Sequence, residues 1–239
     1  MLKSLALLCS LLLTSSAFAD TWSIDPKFRD PKTHDDVSAA VATNAQGYKV
    51  AFFRASDKAA YLMFFMPETS FDKLPLRGRI AAFRPDQNPA VFIETNPSLP
   101  SLDPFSLGGS VRARVWHGKE ITPFAGTLRN ILDGSNLTVR FFTDTGTTVD
   151  TVFELAGASP VIAKAVGFPE TVSPEVMITV ANARKLKSEA AMKCYIPSAS
   201  SAASKSCMDA ISACADEDDT KFDETAYRAC LRKVKWPAQ

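Results

Sequence analysis

Histidine is scarce in this sequence, and its positive and negative charges almost cancel. The two histidines, His34 and His117, lie in no recognisable catalytic or zinc-binding motif. The chain also lacks a G-x-S-x-G segment, an H-E-x-x-H segment and a glycine-rich phosphate loop, which argues against serine hydrolases, zinc metalloproteases and P-loop proteins. With 27 basic and 26 acidic side chains, no overall field attracts nucleic acid or anionic lipid. These absences predict no catalytic residue, no cofactor, no metal site and no nucleic-acid partner.

Long apolar runs are missing too, except for a short one at the start of the chain. Residues 1–19 combine Lys3, an apolar stretch from Leu5 to Leu13 and the small-residue sequence Ala17-Phe18-Ala19, which is the pattern of a secretory signal peptide. The stretch is shorter than the roughly 20 apolar residues that a membrane span needs. We therefore predict cleavage between Ala19 and Asp20, a periplasmic or secreted protein, and no stable membrane insertion.

The cysteines are few and unevenly placed. Cys9 lies in the predicted leader, and the other four fall within the last 46 residues of the chain: Cys194, Cys207, Cys214 and Cys230. An even number of cysteines in an exported chain predicts two disulfides rather than a metal site.

Three disulfide pairings are open in principle, and helix geometry favours one of them. Cys207 and Cys214 are seven residues apart and share one face of a helix. A helix folding back near Asp219 would bring Cys230 level with Cys207. We therefore expect Cys207–Cys230 and Cys194–Cys214.

Short apolar or alternating runs separated by turn residues extend from Asp20 to about Gly157 and are typical of an all-β domain. Turns are predicted at residues 44–47, 56–58 and 144–146. The pattern predicts a mainly β fold with α elements: an antiparallel β-sandwich or a partly open barrel, followed by a disulfide-linked helical C-terminal segment. The predicted strands are Val37–Ala42, Tyr48–Ala55, Ala60–Met66, Arg79–Phe83, Ala90–Thr95, Val111–Trp116, Leu137–Thr143 and Thr148–Leu155.

The sequence is thus divided into a signal peptide at 1–19, a β domain at 20–168 and a helical segment at 169–239. Several predicted helices and one predicted loop interrupt or follow the strands. Asn96–Ser110, rich in proline and glycine, is interpreted as an irregular loop, either functional or a connector. The predicted helices are Phe124–Leu132, Ser159–Val166, a helix starting after Ser173 and running to about Lys193, Ser206 (or Lys205)–Ala215 and Phe222–Lys235. A strand start remains an alternative after Ser173, Ser198–Ser206 is interpreted as a linker, and Thr220 with Asp223 as an imperfect capping box.

Asp144-Thr145-Gly146 is the sharpest sequence motif, because aspartic proteases carry their catalytic carboxylate in such a triplet. That mechanism needs two carboxylates sharing one proton. The sequence has one copy, so a catalytic Asp144 would require a dimer, and the segment also fits a hairpin turn with Gly146 at its left-handed position. The turn is the favoured interpretation.

The acidic run at residues 216–219, with Asp223 and Glu224, supplies oxygen atoms of the type that calcium prefers. An EF-hand loop starting at Asp216 needs glycine at its sixth position, where this chain has Lys221. A solvated turn between helices is the favoured interpretation.

Arg112, Arg114 and Trp116 alternate with apolar residues and are followed by His117. A strand would place the two guanidinium groups and the indole on one face, where arginine can bind carboxylate or phosphate groups. We identify these four residues as the candidate binding surface, with the polar outer face of a half-buried strand as the alternative.

Four features occur together in this sequence: an export signal, Trp22 soon after the predicted cleavage site, a succession of short strands, and the closing sequence FELAGASPVIA at residues 153–163. In these features residues 20–168 resemble the invasion-associated locus B family of bacterial periplasmic proteins. The resemblance implies a β-sandwich-type fold and a role in host-cell invasion or envelope interaction, without a defined set of catalytic residues. The chain departs from that pattern in its cysteine-bearing helical tail.

Together these observations predict an exported, non-catalytic protein that binds a protein or another envelope component. An aspartic-type hydrolase using Asp144 in a dimer is one alternative. A structural or assembly factor acting through the C-terminal helices is the other.

Overall fold

The computed structural model describes residues 20–70, 72–75, 77–95, 104–195, 200–215 and 218–237. The predicted signal peptide at 1–19, with its cleavage site after Ala19, lies outside the described residues, and so do residues 96–103 of the predicted loop.

Ten strands of the described residues form two antiparallel sheets. They are β1 (Ser23–Arg29), β2 (Asp36–Thr43), β3 (Lys49–Arg54), β4 (Ala60–Phe65), β5 (Gly78–Pro85), β6 (Val91–Thr95), β7 (Phe105–Leu107), β8 (Ser110–Trp116), β9 (Asn136–Phe142) and β10 (Thr148–Glu154). One sheet has six strands in the order β1-β2-β3-β4-β8-β7, and the other has four in the order β10-β9-β5-β6. All eight predicted strands are present, with ends shifted by at most two residues, and the three predicted turns connect them.

Two strands were not predicted from the sequence. β1 contains Pro26, which removes a backbone donor, and strands tolerate proline at a sheet edge or a bulge. Here both conditions hold, since β1 is an edge strand and its pairing with β2 shifts register between Asp25 and Phe28. β7 lies within Asn96–Ser110, so the prediction of a wholly irregular loop there is wrong for Phe105–Leu107.

The main core lies between the two sheets and is built from aromatic rings. Phe64 of the six-stranded sheet packs against Phe83, Phe141 and Phe153 of the four-stranded sheet, with ring centroids 5.7–6.3 Å apart. All four of these side chains are buried. The predicted antiparallel β-sandwich or partly open barrel, followed by a disulfide-linked helical segment, is therefore confirmed.

The other face of the six-stranded sheet carries a second apolar cluster, which explains why β3 and β4 are apolar at consecutive positions. Phe53, Tyr61 and Met63 lie in this cluster, and their neighbours Phe52 and Leu62 lie in the core between the sheets. Strands buried on both faces lose the alternation of apolar and polar residues. β3 and β4 are thus the central strands of the six-stranded sheet and are buried on both faces.

Two helices cover the β-sandwich. They are α1 (Thr127–Leu132) and α2 (Ala158–Val166), and each buries apolar residues in the main core, such as Leu128 and Ile162. Both correspond to predicted helices, although α1 begins three residues later than expected. α2 begins and ends at glycines with positive φ, Gly157 at 73° and Gly167 at 76°.

The chain after residue 173 is helical. It contains α3 (Pro174–Cys194), α4 (Ser201–Cys214), a 3-10 turn (Asp219–Lys221) and α5 (Glu224–Leu231). Ser173 caps α3 as predicted by accepting a hydrogen bond from the backbone N–H of Val176, so the alternative strand start is wrong.

Three boundaries in the helical segment differ from the sequence predictions. α4 includes Ser201–Ser206, which were interpreted as linker, because Ser200 caps the helix there by accepting from the backbone N–H of Ala203. The predicted capping pair is also wrong: Asp223 itself is the N-cap of α5, and its side chain accepts from the backbone N–H of Ala226. α5 then ends at Leu231, four residues before the predicted end.

The disulfides are Cys194–Cys207 and Cys214–Cys230, so the expected pairing of Cys207 with Cys230 and Cys194 with Cys214 is wrong. Six residues separate α3 from α4, which places Cys194, the last residue of α3, beside the second turn of α4. The chain also does not fold straight back at Asp219, whose carboxylate accepts from Lys187 Nζ of α3 at 2.5 Å. α5 therefore starts late, and Cys230 meets the end of α4.

Candidate functional site

The four predicted binding residues come from β8 and the residue after it, but they do not form one exposed face. Arg112 is only 2% exposed, and its guanidinium lies 3.6 Å from the ring centroid of Tyr61. Its Nη1 donates to Oδ2 of Asp30, which is fully buried, at 2.5 Å. Arg112 is thus part of a buried ion pair beside Tyr61 of the second apolar cluster. The prediction that Arg112 belongs to an exposed binding surface is wrong.

Trp116 does not lie on the predicted face either, because the pairing of β8 with β4 is irregular. Ala60 pairs with Trp116 and Tyr61 pairs with Arg114, so Val115 is an extra residue in β8. A bulge of this kind places two residues opposite one and interrupts the alternation of side chains. Trp116 consequently joins the main core, where its ring meets Phe168 edge-on at 5.7 Å and is 7% exposed.

Arg54 holds the surroundings of Trp116 in place. Its guanidinium lies 5.6 Å from the Trp116 ring centroid and donates to the backbone carbonyls of Lys58, Val166, Gly167 and Gly118 at 2.8–3.5 Å. Four separate backbone oxygens are satisfied by one side chain. The end of β8 is therefore tied to the β3–β4 turn and to the end of α2.

Gly118 permits the sharp departure of the chain from β8. Its φ is 69°, and a Cβ at this position would lie 1.9 Å from the carbonyl oxygen of Lys58. Backbone cannot yield to such a clash, so only glycine fits here. The chain turns at once and presents residues 119–126 to α3.

Glu120 links the β-sandwich to α3. Its Oε2 accepts from Nε1 of Trp116 at 3.4 Å, and its Oε1 accepts from Nη2 of Arg184. Arg184 also has its Nε 3.6 Å from Oδ2 of Asp219, which in turn accepts from Lys187. A chain of charged groups thus runs from the core tryptophan through α3 to the 3-10 turn.

A groove lies where these elements meet. It encloses about 710 Å³. It is lined by Arg114, Trp116 and His117 at the end of β8, by Arg184 of α3, and by residues 125–127 before and at the start of α1. Lys119 and Glu120 complete it. Three of the four predicted binding residues, Arg114, Trp116 and His117, therefore share one concavity.

The groove offers more positive than negative charge. Arg114, Lys119 and Arg184 line it against the single carboxylate of Glu120. His117 and Lys119 are exposed, whereas Arg114 is half-buried and Trp116 supplies an apolar wall. Grooves with an apolar wall and a few converging polar groups are typical ligand sites. This groove can bind an anionic group beside an apolar one.

Glu120 and Arg184 were missed by the sequence analysis. They are separated by 64 residues, so no local spacing connects them. Val180 and Ala183 are buried on one side of α3, and Arg184 follows Ala183 directly in the sequence. The contact itself depends on how α3 packs.

Asp144 lies in the turn between β9 and β10 and is exposed. Gly146 in that turn has φ of 83°, and the hydroxyls of Thr143 and Thr145 lie 2.8 Å apart. This arrangement matches the turn interpretation, and nothing in the described contacts brings a second carboxylate against Asp144.

The acidic run before α5 is held by basic side chains. Asp219 accepts from Lys187, and Asp218 lies 3.2 Å from Lys221 Nζ. Hydrogen bonding from the Thr220 side chain is the largest influence holding the pKa of Asp218 below its usual value. Residues 216 and 217 lie outside the described part of the chain, and within the part that is described no group of three or more metal-binding side chains is assembled.

Comparison with models of known protein families, with curated proteins and with solved structures finds no match to this chain. In the part of the chain that the structure describes, no helix combines the length and apolar character required to cross a bilayer. The two disulfides indicate that the protein matures in an oxidising, exported environment.

Proposed function

We propose that this protein is an exported, non-catalytic binding protein of the bacterial envelope and that the groove beside Trp116 binds an acidic segment of a partner protein. The observation that carries the proposal is the convergence of Arg114, Trp116 and His117 with Arg184 in one concavity. Arginine and lysine side chains beside an apolar wall favour carboxylates carried next to apolar groups.

The position of the groove supports a binding role. The Glu120 carboxylate is already shared between Trp116 and Arg184, so the rim of the groove is held in one shape before any partner arrives. A preformed site loses less entropy when it binds. The exposed His117 and Lys119 are then available at the mouth.

Membership of the invasion-associated locus B family is part of this proposal, with an envelope or host-interaction role as its implication. Two of the sequence features that suggest the family, Trp22 and the closing sequence at residues 153–163, lie together in the fold. Trp22 donates from its indole Nε1 to the backbone oxygen of Glu154 at 2.9 Å, and Asp20 accepts from the backbone N–H of Glu154 at 2.8 Å. The first residues of the β domain are thus hydrogen-bonded to β10, its last strand.

Site-specific photo-crosslinking in the periplasm of a producing bacterium tests the proposal. A photoreactive residue at position 119, at the mouth of the groove, is expected to give a discrete protein adduct. The matched control places the same residue at position 27, an exposed site on β1, which three strands separate from β8. Adding His117→Glu to the position-119 variant should abolish the adduct, because a carboxylate at the mouth repels the acidic segment. Identical adducts from positions 119 and 27 would contradict the proposal.

A second candidate function, assembly through the C-terminal helices, is favoured by one observation. Met192 is 74% exposed, Tyr195 81% and Met208 41%, and together they line an apolar groove of about 380 Å³ over the first disulfide. Methionine-rich surfaces accommodate protein partners. If this surface drives assembly, Met192→Glu will remove the assembled species from size-exclusion chromatography with light scattering, whereas Lys185→Glu on the same helix will not.

A further inference from the structure

The outer face of the four-stranded sheet differs from that of its partner sheet. On the outer face of the six-stranded sheet the side chains of the second apolar cluster are buried. The four-stranded sheet leaves side chains in solvent, including Phe92, 43% exposed, and Val152, 46% exposed. The strand register identifies which side chains share this face.

Three rows of side chains cross the outer face. The middle row runs from Phe92 through Ala82 and Arg140 to Asp150, since each of these residues pairs directly with the next. A second row contains Arg84, Thr138 and Val152, by the same pairings. Arg79 and its partner Glu94 mark the third row.

A shallow depression forms at the centre of these rows. Its floor is Ala82, the one small side chain of the middle row, and it encloses about 370 Å³. Arg79, Arg84 and Arg140 surround it together with the rings of Phe92 and Phe142. Three guanidinium groups and two aromatic rings thus face one hollow.

Two of the arginines are held in fixed positions. Arg140 donates to both carboxylate oxygens of Asp150, at 2.7 and 2.6 Å, and Arg79 donates to Glu94 at 2.9 Å. The Arg79 guanidinium also lies 4.4 Å from the Phe92 ring centroid and 5.8 Å from that of Phe142. Arg84 is exposed and has no acidic partner among the residues that the structure describes.

We infer that this face, defined by Arg79, Arg84, Arg140, Phe92 and Phe142, is a second binding surface and that its occupant is an acidic polysaccharide, a chain of sugar rings carrying carboxylates. The unneutralised Arg84 matches a carboxylate, since arginine binds this group through two parallel hydrogen bonds. The exposed Phe92 ring offers an apolar face on which a sugar ring can lie.

The carboxylates on the face favour sugar over nucleic acid. Glu94 and Asp150 stand among the three arginines and would repel a densely charged phosphate backbone, whose binding depends on unopposed cations. Carboxylate oxygens accept hydrogen bonds from hydroxyl groups, which sugars carry on every ring. A mixture of three arginines and two carboxylates therefore fits a chain with many hydroxyls and few charges.

Titration of the full-length mature protein with a defined oligouronate, followed by calorimetry, tests the inference. We expect Arg84→Gln to weaken binding about tenfold, because a charge-assisted pair is lost. Phe92→Ala should weaken it about fivefold through loss of ring contact. Both side chains are exposed, so the melting temperature is expected to stay within a few degrees of wild type.

Matched controls separate this surface from other effects. Arg29→Gln removes an exposed arginine of the other sheet and should leave oligouronate binding unchanged. Lys119→Glu in the groove should also leave it unchanged, so failure of the groove proposal does not affect this test. Polyglutamate, which has charges without rings, should bind at least about fivefold more weakly than the oligouronate.

Three results would overturn the inference. They are absence of oligouronate binding, equal losses in Arg29→Gln and Arg84→Gln, and tighter binding of polyglutamate or a single-stranded oligonucleotide than of the oligouronate. An oligonucleotide preference would identify the face as a stacking platform for bases instead.

Discussion

The β-sandwich and the helical segment after residue 173 are stabilised in different ways. The core between the sheets contains fully buried rings such as Phe52, Phe64 and Phe141. The helical segment has a small cluster of five buried residues, two of which are the disulfide-bonded Cys194 and Cys207. Segments with little apolar area to bury depend on cross-links. The β-sandwich is therefore stabilised mainly by burial of apolar side chains, and the helical segment by covalent cross-links.

The two regions also differ in what they expose. α3 and α4 leave Met177, Ile178, Met192 and Met208 in solvent, although α3 is the longest helix of the described residues. Ion pairs, such as those of Asp219 with Lys187 and Arg184, position α3 against its neighbours. We therefore expect the helical segment to lose its packing before the β-sandwich unfolds.

The largest expected effect lies in the β-sandwich. Asp30→Asn removes the buried negative charge that pairs with Arg112, which should lower the free energy of unfolding by about 3–5 kcal/mol. Asparagine keeps the size of the side chain and an acceptor for the backbone N–H of Lys32. Urea denaturation followed by tryptophan fluorescence measures the loss.

Asp36→Asn is the matched control for that variant, because the Arg29–Asp36 pair is more than half exposed. It should cost less than about 1 kcal/mol. Equal losses in the two variants would show that the buried pair contributes no more than a surface pair.

Removing a disulfide should affect the helical segment and spare the sandwich. Replacing both Cys194 and Cys207 by alanine opens a closed loop and should cost about 2–4 kcal/mol within the helical segment. Circular dichroism at 222 nm during heating should show an earlier helical transition. The same replacement of Cys214 and Cys230, which are less buried, should cost less. Simultaneous loss of β structure would contradict independent stabilisation of the two regions.

Glu120→Gln tests the link between the two regions. It weakens a partly exposed charged contact with Arg184 and should cost about 1 kcal/mol. Amide hydrogen exchange should rise in α3 and stay unchanged in β3 and β4. Lys185→Gln, a charge change on an exposed side of α3, is the control, and equal exchange in both variants would remove Glu120 from this role.

The last effect is absent at neutral pH and appears only in alkaline solution. The pKa of Tyr61 is raised from 10.0 to about 12, mainly by burial of the side chain and secondly by its hydrogen bond to Asp57. Because the folded protein holds this proton more tightly than the unfolded chain, the stabilising contribution is complete below pH 10 and is lost as pH rises to about 12. Stability measured across this range should fall less steeply in Tyr61→Phe. Tyrosinate absorbance that appears below pH 10 in the wild type and is missing in Tyr61→Phe would contradict the expectation.

Much of the β architecture follows from local sequence, and the exceptions have physical causes. The eight predicted strands are visible because alternation and turn residues such as Asn44 and Gly47 act over a few positions. β1 was missed because Pro26 disfavours strands except at edges and bulges, and only the sheet order shows that β1 is an edge.

The candidate site was predictable in part. Arg114, Trp116 and His117 were singled out and share the groove. Arg112 was expected on the binding surface because it alternates with apolar residues along β8. Its buried partner Asp30 lies 82 residues away, so no local pattern reveals the ion pair. The bulge at Val115 depends on pairing with β4, so alternation along β8 alone misplaces Trp116.

The sequence by itself determined eight of the ten strands of the described residues, the number of cysteines available for cross-linking and the helical character of the last third, because propensity, alternation and caps act between near neighbours. Only the tertiary structure decided which cysteines pair, that Arg112 is buried, that Trp116 joins the core, and that three arginines surround Ala82. These outcomes depend on contacts between residues far apart in the chain, whose partners are chosen by packing and strand register rather than by local sequence.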